Sequence, residues 1–166
     1  MILSILQLRI KIAELMLQVL RLQTAQAKNP NKRLILYEMA RVCIGKDMAR
    51  TQNELGCVEA VNTIFEKAFG NPLGGGLSTY LMYEVLKTDK RFQLVLTPLQ
   101  GDIIISPTGY GYGNIKNGHV GIISEAEKIM SNDSIDGLWK ENYTVLSWKE
   151  RYQKEGGFPV KFYRVV

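Results

Sequence analysis

Residues 1–27 carry apolar positions at helical spacing on two sides. Leu3, Leu6, Ile10, Ala13, Leu17 and Leu20 form one seam, and Ile5, Leu8, Ile12, Leu15, Val19 and Leu22 form a second. At about 100° per residue the seams fall on nearly opposite sides of one helix, leaving Gln7, Lys11, Glu14, Gln18 and Arg21 as a polar strip. A helix apolar on two sides wants two partners, so residues 1–28 read as an oligomerisation or docking helix. Attachment to a membrane surface and packing on the helix's own domain are the other readings. Arg9, Lys11, Glu14 and Arg21 interrupt every window of about 20 residues, which argues against a spanning helix. No basic segment precedes the apolar stretch, so a signal peptide is not expected.

The break Lys28-Asn-Pro-Asn-Lys32 reads as a linker, and residues 29–166 as one further domain. Its first half is helical in pattern. Leu34 to Ile44 predicts a helix stopped by Gly45. Residues 51–70 predict another, with a Thr51/Glu54 capping box, an apolar stripe of Val58, Val61, Ile64, Phe65 and Ala68, and a stop at Gly70. A third helix is expected from Leu77 to Lys87. The second half changes period: Ile103–Ile105, Val120–Ile123, Lys128–Ser131 and Val160–Val165 are short β-rich runs between turn residues. Helices followed by strands predict an α+β fold.

Composition narrows the functional classes. The chain of 166 residues has 46% hydrophobic and 22% charged residues, an ordinary globular balance. Its 21 Lys+Arg against 16 Asp+Glu give a net charge of +5 and favour anionic partners. These charges are scattered, so nucleic-acid binding is not expected. One histidine and two cysteines without a C-x-x-C pair argue against a zinc site. Cys43, among Val42 and Ile44, reads as an inert buried thiol. Trp139 and Trp148 read as core residues in a strand-rich half.

Cys57 and His119 carry the chemistry. Cys57 falls in the first turn of a predicted helix, where the dipole favours thiolate. The preceding Gly56 would let substrate approach the backbone. Nearby backbone N–H groups could hold an oxyanion. A nucleophilic thiol needs a base, and the single histidine, His119, opens an apolar run in N-G-H-V-G-I-I. The base needs a polar group to orient it, and Ser131-Asn132-Asp133 closes the next predicted strand.

In this order, G-C-V-E-A-V, then Q-G-D-I-I-I-S, then G-H-V-G-I-I, the chain resembles the papain-like NlpC/P60 and CHAP families of peptidoglycan peptidases and amidases. The resemblance spans roughly residues 34–166. It implies a papain-like fold in which the nucleophile's helix packs with others on a small antiparallel sheet. By it, Cys57 is the nucleophile, His119 the general base and Asn132 the third residue, with Asp133 or Asn142 as substitutes. Asp102 is implied to satisfy a turn, not to react. No second histidine is present, and D-C-S-G, the commoner NlpC/P60 nucleophile motif, is absent.

The implied activity is cofactor-free, metal-independent hydrolysis of a wall amide through a thioester, as an endopeptidase or an N-acetylmuramoyl-alanine amidase. The enzyme would act at the bacterial cell wall, secreted, holin-released or virion-associated. Tyr110 and Tyr112 in the Gly-rich loop T-G-Y-G-Y-G-N are candidate substrate contacts, beside Gly56. Two alternatives stand: an inactive papain-like domain in an assembly such as a virion, and a protein-directed cysteine protease or toxin.

Overall fold

The computed structural model describes residue 7 and residues 11–17, 31–49 and 56–166. The chain divides into two compact units, Met1–Asn31 and Lys32–Val166. In the first, residues 11–17 are helical, with Ile12, Leu15, Met16 and Leu17 exposed. The rest of the two seams and the Thr51/Glu54 capping box lie outside the described residues.

The second unit is α+β. Helices α1 (Lys32–Val42), α2 (Gly56–Phe69) and α3 (Thr79–Thr88) precede strands β1 (Phe92–Val95), β2 (Ile103–Ser106) and β3 (His119–Ile123). Strands β4 (Lys128–Asn132) and β5 (Trp139–Thr144) follow, then a short helix α4 (Val145–Trp148), a π-helical segment (Lys149–Glu155) and β6 (Lys161–Val165). The six strands form one antiparallel sheet in the order β1-β6-β2-β3-β4-β5.

Strand alternation sends side chains to two cores. Ile103, Ile105, Val120, Ile122 and Met130 join Val58, Val61, Ile64 and Phe65 of α2 in the larger one. Ile104, Ile123, Ile129 and Phe162 point the other way, onto Val145, Trp148, Tyr152 and Phe158. β2 is therefore covered on both faces, which is why its sequence is an unbroken Ile-Ile-Ile instead of alternating. Each fully buried aliphatic side chain of this kind contributes about 1.5–3 kcal/mol.

The helices and four strands expected from the sequence are present, with ends shifted by up to two residues where those ends are described. β1, β5 and the α4–π segment were not expected. Trp139 and Trp148 are fully buried, their indole N–H groups donating to Ala40 O and Ser106 Oγ at 3.0 Å each. Cys43 is buried too, and burial raises its thiol pKa. Asp102 holds its turn by accepting from Leu99 N at 2.7 Å, and it also pairs with both Nε and Nη2 of Arg164.

Candidate active site

The apolar stripe of α2 seats that helix on β3 and β4 and so fixes where Cys57 sits. Gly56 is buried, and a Cβ there would fall 2.6 Å from Ala49 Cβ and 2.8 Å from Asn132 Nδ2. The expected use of this glycine, close approach by substrate, is therefore replaced by close packing of Ala49 and Asn132 on the helix start.

His119 is fixed from the sheet. It is the first residue of β3, paired with Ser106 of β2. The preceding Gly118 is obligatory on steric grounds, since a Cβ there would lie 2.0 Å from Ser106 O. Gly118 N also donates to Thr108 Oγ1 at 2.8 Å, and Thr108 is tied to Thr79 of α3. The imidazole stacks against Trp148 at 5.2 Å and Tyr152 at 5.7 Å between ring centroids, with Tyr143 edge-on at 6.0 Å.

Cys57 and His119 line one cleft of about 770 Å³ together with Asn132, Asn142, Arg151 and Tyr152. No hydrogen bond joins the Cys57 thiol to the His119 ring. Among the described residues, no cluster of three or more His, Cys, Asp or Glu side chains is placed to hold a metal ion.

The ring's partner differs from the expected one. His119 Nε2 lies 3.1 Å from Ser131 Oγ, and Ser131 Oγ donates to Asn142 Oδ1 at 2.6 Å. Asn132 lies against Gly56 instead, and its buried Oδ1 has no hydrogen-bond partner among the described residues. Parity explains the exchange. Ser131 and His119 project to the aromatic side of the sheet, whereas Asn132 shares parity with Met130 of the helix-side core. Asp133 serves elsewhere, 3.6 Å from Lys140 Nζ. Of the substitutes considered, Asn142 is in the network, but one step behind Ser131.

This relay sets a tautomer. A serine hydroxyl has one proton, and Ser131 gives it to Asn142. Ser131 Oγ must then accept from His119, so Nε2 carries the ring proton and Nδ1 presents a lone pair.

Electrostatics keep both groups neutral at rest. Burial pushes the Cys57 thiol up to about 11, although backbone N–H groups of Val120, Val58 and Cys57 itself favour the thiolate. Desolvation of the thiol thus opposes the helix terminus and is the larger effect. Burial, reinforced by the charge of Arg151 and opposed by Asp133, lowers His119 to about 4.

Neither candidate tyrosine lines the cleft. Tyr110 stacks on Tyr80 at 5.8 Å and donates to Glu84 at 3.1 Å. Tyr112 is 91% exposed and lies beside Gly157. The loop reaches the cleft through Thr108 and Ile115 to Gly118 instead. Sequence reasoning offered Ser131 only as one of three polar residues closing a strand, and it missed Tyr143, Arg151 and Tyr152. For Ser131 a signal existed, its alternation with Ile129 opposite the parity of Asn132.

Comparison with family models and with curated protein sequences found no match. Among solved structures, a chain of the type VI native effector–immunity complex Tae3–Tai3 from Ralstonia pickettii is similar in fold, with a TM-score of 0.53 at 20% identity. The match covers 81% of this chain and 98% of that one. The fold is therefore papain-like α+β, with a candidate thiol nucleophile at the start of the helix seated on the sheet.

Proposed function

We propose that this chain is a cysteine hydrolase that cleaves an amide bond of the peptidoglycan peptide. The observation that carries this reading is the Asn142–Ser131–His119 relay, which leaves Nδ1 bare in a cleft that Cys57 also lines. Because the resting pair is neutral, the nucleophile forms during attack and not before it. As Sγ bonds to the carbonyl carbon, Nδ1 takes the thiol proton. Backbone N–H groups at the start of α2 hold the developing oxyanion. The imidazolium then gives its proton to the leaving nitrogen as the C–N bond breaks. Water, deprotonated by Nδ1, next attacks the thioester, releasing the acid and restoring the Cys57 thiol. Ser131 and Asn142 hold the ring's tautomer throughout, and Asn132 supports the helix start.

The wall as substrate is supported by the motif order G-C-V-E-A-V, Q-G-D-I-I-I-S, G-H-V-G-I-I and by the basic net charge. The structural neighbour belongs to an effector–immunity complex. By that likeness we read the chain as a wall-directed effector that a cognate protein would bind, in preference to an inactive assembly component. The test is digestion of purified wall, with fragments identified by mass. Release by wild type and Cys43→Ala but not by Cys57→Ala is expected. No release by wild type would overturn the reading.

A further inference from the structure

The cleft carries three charged residues, Lys116, Asp133 and Arg151. Asp133 is committed to Lys140 and to the backbone N–H of Ile135. Lys116 is exposed on the Gly-rich loop. Arg151 is exposed too, but it lies against the aromatic face that holds His119. It projects from the π-helical segment, with its guanidinium 5.7 Å from the ring centroid of Tyr152. Among the described residues no carboxylate lies within ion-pair distance of it. Glu150 pairs with Lys154 at 2.5 Å, and Glu155 interacts with Arg151 only at longer range.

A guanidinium has five N–H donors in a planar fork, and no carboxylate among the described residues pairs with that of Arg151. Tyr152 is also the residue whose ring stacks on His119. The fork therefore lies against a buried aromatic beside the candidate base, on the cleft they both line, with its charge felt at the imidazole. A fork of this shape matches a carboxylate in bidentate geometry.

We propose that Arg151 is a substrate anchor that binds a free carboxylate on the peptide, adjacent to the amide presented to Cys57. This inference rests on reading the cleft as a peptide site and deepens it. The preferred substrate is an acidic peptide whose carboxylate remains unamidated. Lys116, exposed on the Gly-rich loop, adds long-range attraction only.

Binding tests this without turnover. Soluble wall muropeptides, native or with their carboxylates converted to primary amides, are titrated calorimetrically into the Cys57→Ala protein. The acid form is expected to bind about 10-fold more tightly. Arg151→Gln in the same background should bring the two within about 2-fold, while Lys116→Gln retains most of the preference. Equal affinity for acid and amide, no binding of either, or a preference that survives Arg151→Gln would overturn the anchor. The first comparison needs no substitution at Arg151, so misfolding of that variant cannot hide the answer. Cleavage by wild type is scored separately: acid preference without cleavage leaves the anchor standing and sinks the hydrolase. Cleavage without preference does the reverse.

Discussion

The two faces of the sheet supply different halves of the site. On one, α2 lays an aliphatic stripe on β3 and β4 and delivers Cys57. On the other, Trp148 and Tyr152 cover the sheet, and Tyr143 joins them around His119. The helix face is built from regular periodicity and positions a thiol by packing alone. The aromatic face sets a protonation state, through burial and a two-step hydrogen-bond relay. A nucleophile can thus be placed by shape, whereas a base needs its surroundings chosen atom by atom.

The sharpest way to break this comparison is to remove each half. Cys57→Ala should lower amide hydrolysis by about 10⁴-fold or more, with the urea midpoint little changed, because loss of a nucleophile removes the covalent path. Wall-fragment release, together with denaturation, checks it.

The aromatic face should show itself in stability. The folded protein holds His119 neutral down to about 4, whereas an unfolded histidine takes a proton near 6.5. The unfolded state therefore binds more protons between these values, and stability falls as pH drops from about 6.5 to 4. The loss should reach at most about 3 kcal/mol. Urea unfolding across this range measures it, and His119→Gln should flatten that part of the curve.

Next in size is Ser131→Ala. Losing the ring's hydrogen bond should lower kcat about 10- to 100-fold with KM nearly unchanged, since Ser131 positions the base and lies behind it. Steady-state kinetics on a defined wall peptide separates the two constants. Smallest is Trp148→Phe, which keeps a ring but gives up the bond to Ser106. It should cost about 1 kcal/mol in thermal or urea unfolding.

Much of the helix face was legible in the sequence. The stripe Val58, Val61, Ile64, Phe65 gives α2 directly, and a thiol before such a stripe must start the helix. Apolar runs gave β2, β3, β4 and β6. The aromatic face was not legible, because its elements carry mixed patterns. β5 reads W-K-E-N-Y-T, with a burial pattern that does not alternate cleanly, and β1 is a four-residue edge strand. K-E-R-Y-Q-K-E buries only Tyr152, and its π-helical turns follow no 3.6-residue period. The exchange of Asn132 for Ser131 has a similar origin. Neighbouring residues of a strand face opposite ways, and which one meets His119 depends on register with β3, which only the fold supplies. Tyr110 and Tyr112 lie near His119 in sequence but are drawn off by Tyr80, Glu84 and Gly157.

The central claim is that His119 waits as a neutral base with Nδ1 unprotonated. Because the chain has one histidine, ¹⁵N-histidine labelling gives a single pair of ring-nitrogen signals. A two-dimensional ¹H–¹⁵N spectrum followed from pH 8 to 3.5 should show Nε2 protonated, Nδ1 bare and a midpoint near 4. A proton on Nδ1 at neutral pH, or a midpoint near the ordinary value of about 6.5, would contradict the account.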